Sequence, residues 1–201
     1  MAVNVRDLND KPAPLVTRQI KAGAVYHHIF LDRHPDPLGF GFAPSRFSDP
    51  RRIMRPFGVY YVGSTFLVAF LETWVRDKRN HLAGSLLMPL EELTQFVHVL
   101  ITVVRPLTLV DLHAGNPIAM GIPTDAVRAR SQTEGRRASL SFYKHYDQPD
   151  GITYSSRLNE QQNLAIYDRV VHEKLSAGPR TRLIDCAELK PALDLNQISI
   201  V

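Results

Sequence analysis

The stretch Phe57–Asp77, FGVYYVGSTFLVAFLETWVRD, decides how the chain folds. Phe57 to Val62 is rich in aromatic and β-branched residues and reads as a strand. Gly63 and Ser64 stop it, and Ser64 stands where a side-chain oxygen caps a helix beginning near Thr65. That helix is apolar on nearly every side: Phe66, Ala69 and Phe70 share one face, Leu67, Leu71 and Trp74 the next, Val68 and Val75 a third. A helix without a polar face is buried. Glu72, set among Val68, Leu71 and Val75, carries a carboxylate into those surroundings. Ionising it there without a partner costs several kcal/mol, so it is either a paired structural acid or an active-site acid.

Upstream, Gly23–Phe30 (GAVYHHIF) is a first strand, on which the adjacent His27 and His28 point to opposite faces. Between Leu31 and Pro56 lie five prolines together with Phe40, Phe42, Phe47, Arg46, Arg51 and Arg52. Irregular loops of that length inside a compact domain usually serve as lids or binding loops. Residues 1–22 are polar and broken by Pro12 and Pro14, and read as an N-terminal arm ahead of a single domain over 23–201.

Downstream, Glu91–Val104 reads as a short helix running into a strand, and Leu107–Leu112 as another strand. The polar segment Thr124–Arg137 carries Arg128, Arg130, Arg136 and Arg137, and a helix follows from Ala138 to Tyr146. Asp147–Gly151 is a turn. Ile152–Ser155 and Asn163–Tyr167 are strands joined by a polar loop, Arg169–Leu175 is a helix, and Leu183–Cys186 is a last strand. The sum is a mixed α/β domain.

Composition narrows the function classes. The chain has 201 residues, 44% hydrophobic and 22% charged, within the ordinary globular range and long enough for one continuous core. A net charge of +4 is too thin to mark nucleic acid as the main partner. The longest uncharged run, Pro56–Leu71, is 16 residues, short of a membrane span. A single cysteine, Cys186, excludes an internal disulfide, which fits a reducing cytoplasm, and leaves no sulfur-rich zinc site. Gly39-Phe-Gly-Phe lacks the strand and helix that would make it a dinucleotide fingerprint, and neither a phosphate loop ending in Gly-Lys-Ser/Thr nor a Gly-x-Ser-x-Gly elbow occurs.

Three segments resemble the RES-domain family, the toxin halves of bacterial toxin–antitoxin pairs, named after an arginine, a glutamate and a serine. They are Ser45-Arg46-Phe47, Val59–Thr73 (VYYVGSTFLVAFLET) and Asp150–Asp168 (DGITYSSRLNEQQNLAIYD). Tyr61 precedes Glu72 by the family's eleven residues, and Gly151, Ile152, Tyr154 and Ser156 meet its Gly-Ile-x-Tyr-x-Ser segment, with Asn159 following at the family's place.

The resemblance implies an ADP-ribosyltransferase-like fold, a central mixed or antiparallel β core flanked by helices. It also implies an enzyme that breaks the nicotinamide–ribose bond of NAD⁺, without a metal. The ADP-ribose passes to phosphate or water, depleting the NAD⁺ pool, or to a protein. In that chemistry Glu72 stabilises the ribosyl cation. Arg46 grips a phosphate, Tyr61 stacks on nicotinamide, and Ser156 bonds the ribose or orients Glu72. Asn159 joins the NAD⁺-binding set.

Where the family usually carries an arginine on the first strand, this chain has Tyr26-His27-His28, which resembles the histidine, tyrosine and glutamate of diphtheria-toxin-like transferases. Either histidine fits the register. The change raises the weight of transfer to a specific host protein. It also motivates a contrary reading, a catalytically dead module that only binds its antitoxin. The implied partner is a small helix-turn-helix antitoxin covering the active site in a hetero-oligomer, with the Leu31–Pro56 loop as the contact.

Overall fold

A computed structural model describes residues 14–51, 53–54, 56–78 and 84–201. Within them the chain opens with β1 (Thr17–Ile20), β2 (Val25–Leu31) and, after the proline-rich loop, β3 (Val59–Gly63). The apolar helix follows as α1 (Phe66–Phe70), a π-helical turn (Leu71–Val75) and α2 (Arg76–Lys78). Then come β4 (Leu86–Met88), α3 (Leu90–Leu93), β5 (Phe96–Val103), β6 (Leu107–Asp111), α4 (Asn116–Ala119), α5 (Asp125–Arg128) and α6 (Thr133–Lys144). The last third holds β7 (Gly151–Ser155), β8 (Gln162–Tyr167), α7 (Asp168–Lys174), β9 (Leu175–Ala177), β10 (Thr181–Arg182), a 3₁₀ turn (Leu183–Asp185), α8 (Leu189–Leu195) and β11 (Ile198–Ile200).

The described strands build a nine-stranded sheet in the order β1-β6-β7-β8-β3-β2-β5-β10, with β9 also on β5. Every neighbour pair is antiparallel except β6 with β7, so the expected mixed, mostly antiparallel core is what forms. A separate parallel pair joins β11 to β4.

The pleat sends alternate side chains to two faces. On one face Tyr60, Ile101, Leu109 and Leu164 pack with Val171 of α7. The other face is covered in two halves. Ile29 meets Phe70, Trp74, Met88 and Leu193, whereas Val59, Ile152 and Tyr167 meet Phe47 of the loop and Phe142 of α6. Between those halves the sheet is bare.

The sheet also opens at that seam. β2 and β3 share one paired position, His27 with Gly63, whereas β2 and β5 pair over seven residues. The carbonyl of Tyr61 is met instead by Nδ1 of His28 at 2.9 Å. A carbonyl only accepts, so Nδ1 carries the proton. Burial holds the His28 imidazole neutral, its pKa lowered to about 4.

Several sequence expectations change. Thr17–Ile20, placed in a polar arm, is the edge strand β1, whose exposed side chains hide the backbone ladder that binds it to β6; residues 1–13 of that arm lie outside the described residues. Thr65, not Ser64, caps α1: its hydroxyl accepts from Val68 N at 3.2 Å, while Ser64 N extends the strand ladder to Gln162 O. The helix before the Asp147 turn begins at Thr133 because its buried face is Gly135, Ala138, Ser139 and Phe142, helically spaced yet mostly small. In place of the strand expected over Leu183–Cys186 stands a 3₁₀ turn, Leu183–Asp185, closed by Arg182 Nε on Asp185 Oδ2 at 2.6 Å. Cys186 is buried after it, its thiol pushed up to about 11 by burial, as suits a packing residue.

Candidate active site

The bare seam is a cleft of about 710 Å³, within the range of small-molecule sites. Its floor comes from β2, β3 and β8, one wall from α1 and the π-helical turn, the other from the loop at Ser45 and Arg46. Gly63 sets the first wall against the floor. A Cβ there would stand 2.5 Å from Val68 Cγ1 and 2.9 Å from Ala69 N, so only glycine lets the helix turn back this tightly.

Glu72 projects from the π-helical turn into the cleft, its side chain 23% exposed, rather than into the apolar packing expected of it. A wide turn displaces the side chains that follow it by about one position, and such turns recur at functional sites. Ser156 Oγ donates to Glu72 Oε1 at 2.8 Å, and Asn163 Nδ2 donates to the same oxygen at 3.3 Å. Ser156 Oγ also accepts from Leu158 N at 3.1 Å, which fixes its proton toward the acid. Arg76 Nη1 stands 3.6 Å from Glu72 Oε2. The carboxylate is thus oriented by two neutral donors on one oxygen and faced by a cation on the other.

Across the cleft, Arg46 Nη1 is buried and has no hydrogen-bond partner among the described residues. Burial, and then the nearby charge of Arg157, lower the Arg46 pKa. Arg46 lines a cleft that also exposes Arg130 and Arg157, and a partly desolvated guanidinium in that company suits an anionic ligand. Tyr61 shares the lining with Arg46 and Glu72, its phenol pKa raised by burial. The Tyr61 hydroxyl accepts from Phe47 N at 3.1 Å and shares a hydrogen bond with Ser45 Oγ at 2.9 Å.

His27 and His28 both border the cleft. His28 stacks on Phe30 at the sheet opening. His27 leans the other way, its Nδ1 3.0 Å from His98 Nε2, so one proton sits between two imidazoles. Burial lowers the pKa of both, His98 to about 4.

Asn159 is absent from the lining. It bonds to Gln161 at 3.2 Å, and Gln161 bonds in turn to Thr65, so it ties the β7–β8 loop to the cap of the Glu72 helix. Ser156 too reaches the cleft only through Glu72. Of the arginine group, Arg130 faces the cleft, Arg136 bonds the loop carbonyl of Ser45, and Arg137 pairs with Glu134; Arg52 of the loop lies outside the described residues.

Sequence reasoning missed Asn163, Arg76 and Arg157 as site residues. Two had a signal. Arg76 follows Glu72 at i+4, and Asn163 is the cross-strand partner of Tyr154 in the β7–β8 hairpin. Arg157 sits in the exposed turn of that hairpin, with nothing in its spacing to aim it at a cleft.

The family model described as RES domain matches residues 23–185. A curated relative named "Probable toxin y4kH", from Sinorhizobium fredii (strain NBRC 101917 / NGR234), is 34% identical over 128 residues, covering 63% of this chain and all of the relative. Among solved structures, the chain matches one described as the M. tuberculosis MbcT–MbcA toxin–antitoxin complex with a TM-score of 0.60 at 13% identity, over 81% of this chain and 85% of that one. At that identity the likeness concerns the fold.

Proposed function

The chain belongs to the RES domain family, and from that premise we propose that it is the toxin of a toxin–antitoxin pair and cleaves the nicotinamide–ribose bond of NAD⁺. The observation that carries this reading is the pairing across one cleft of an oriented carboxylate, Glu72, with a buried guanidinium whose Nη1 lacks a protein partner, Arg46. NAD⁺ presents a pyrophosphate for the second and, for the first, a glycosidic carbon that becomes cationic as nicotinamide leaves.

In this reaction nicotinamide departs with the electron pair of the C–N bond, which neutralises its ring and leaves an oxocarbenium ion on the ribose. Glu72 stabilises that cation without reorganising, because Ser156 and Asn163 already hold its carboxyl group. Arg46 holds the pyrophosphate and Tyr61 offers a ring face to nicotinamide. An acceptor oxygen then bonds to the sugar carbon: an anionic phosphate oxygen adds directly, and water gives up a proton to solvent as it adds. Purified protein incubated with NAD⁺ should release nicotinamide, and Glu72→Ala should abolish the release in a protein that still folds. Wild-type turnover by a folded Glu72→Ala variant overturns the mechanism, and any release above background removes the dead-module reading.

A second reading, transfer of ADP-ribose to a specific protein, draws on His27, a cleft-lining imidazole paired with His98 whose burial favours its neutral form, as the base for an incoming nucleophile. Labelled NAD⁺ in a cell lysate separates the two: one modified protein band favours it, and label confined to small molecules removes it.

The proposed partner is an antitoxin protein of helix-turn-helix type seated over the cleft mouth. Phe42, 56% exposed, and Met54, 99% exposed, give the adjoining loop the apolar surface such a contact uses. Co-expression with the neighbouring gene should relieve growth arrest caused by the chain alone.

A further inference from the structure

Arg46 sits in a proline-rich loop, where nothing in regular secondary structure fixes it. Its Nη1 has no partner among the described residues to hold the guanidinium in place. What is held is the backbone on either side. Arg136 Nε donates to Ser45 O at 2.8 Å, and Ser139 Oγ donates to Phe47 O at 2.7 Å. From the sheet side, the Tyr61 hydroxyl bonds both Ser45 Oγ and Phe47 N. Just ahead of the two α6 donors, Gly135 lets the helix press onto the loop: a Cβ there would stand 2.6 Å from Arg46 O.

Arg136 is itself braced. Its Nη2 donates to Gln132 Oε1 at 2.7 Å, one helical turn earlier. Gln132 lines the cleft but Arg136 does not. A charged donor on the Ser45 carbonyl, one residue from the group meant to meet an anion, therefore touches the cleft through that loop and through Gln132, without entering it.

We propose that Arg136 is a positioning residue for Arg46, locking the Ser45–Phe47 segment to α6 so that the guanidinium is presented to an anionic ligand already ordered. The gain is preorganisation: an arginine on a free loop loses backbone and side-chain entropy on binding, and one on a clamped loop has lost much of it beforehand.

This inference rests on reading Arg46 as the anion-binding group, and the experiment separates the two. ADP-ribose binding is measured for the wild type, Arg46→Ala, Arg136→Gln and the double variant, with melting temperatures recorded for all four. Arg46→Ala should weaken binding tenfold or more, Arg136→Gln about tenfold, and the double variant no further than Arg46→Ala alone, as expected of residues acting as one unit. Arg136→Lys should recover part of the loss, since an ammonium still donates to Ser45 O. In turnover, Arg136→Gln should raise KM for NAD⁺ more than it lowers kcat.

If Arg136→Gln adds its full factor on top of Arg46→Ala, or binds ADP-ribose like the wild type while Arg46→Ala does not, Arg136 does not act through Arg46. Unchanged binding by Arg46→Ala overturns the reading of the cleft, and the positioning role with it. Should Arg136→Gln not fold, Ser139→Ala removes the clamp's other α6 bond and carries the same non-additive expectation.

Discussion

The two walls of the cleft are built by different physics. The wall that bears Glu72 is a helix sunk into apolar packing: Phe70 and Trp74 are buried against Met88 and Leu193. The wall that bears Arg46 is irregular chain held by hydrogen bonds from α6 and Tyr61. Packing is strong but undirected, so the acid's wall needs a π-helical turn and two donors to aim the carboxylate. Hydrogen bonds are individually weak but directional, so the guanidinium's wall is aimed by the same contacts that hold it. One wall is hard to unfold and the other easy to mis-aim.

The contrast sets the order of expected effects. Removing the aimed group itself is the largest: Glu72→Ala should lower nicotinamide release about a thousandfold with little change in melting temperature, while Ser156→Ala should lower it less. If Ser156→Ala matches Glu72→Ala, the serine does more than orient the acid. Phe70→Ala attacks the packed wall and should cost about 4 kcal/mol of stability, a fall in melting temperature of about 10 °C. A loss of turnover without that fall in thermal unfolding would mean the helix is not held as described.

The seam between the walls responds to pH. His28 and His98, each with pKa near 4 in the fold against about 6.5 in the unfolded chain, must stay neutral for the native state. Below about pH 6.5 the unfolded chain takes up protons that the native state refuses, so stability falls with pH down to about 4. Melting curves across that window should show it, and His28→Gln should flatten the slope; an unchanged slope would place the effect elsewhere. Smallest is Ser139→Ala, which removes one clamp bond for about 1 kcal/mol yet should raise KM for NAD⁺ visibly, because it acts on aim.

Legibility followed the same division. The strand, tight turn and apolar helix around Glu72 could be read directly because burial writes itself into composition, and the β7–β8 hairpin was marked by its turn residues and alternation. The proline-rich loop was recognisable as a loop, and Arg46 by resemblance. What held the loop was not legible. Gly135, Arg136 and Ser139 form a polar, small-residue helix face whose partners are backbone carbonyls ninety residues away, and carbonyls are the same in every sequence. The edge strand β1 was hidden for a like reason, since the ladder that pairs it with β6 is made by backbone. The π-helical turn has no residue signature, so Glu72 was identified while its direction was not.

The opening between β2 and β3 has one further consequence. Where two strands are zipped by backbone amides, their separation is common property of the whole ladder and no single residue governs it. Here an imidazole stands in for an amide, between His28 and the Tyr61 carbonyl. The width of the gap in the cleft floor therefore hangs on a replaceable part, one codon long, and a single substitution there can reset the span while leaving both walls as they are.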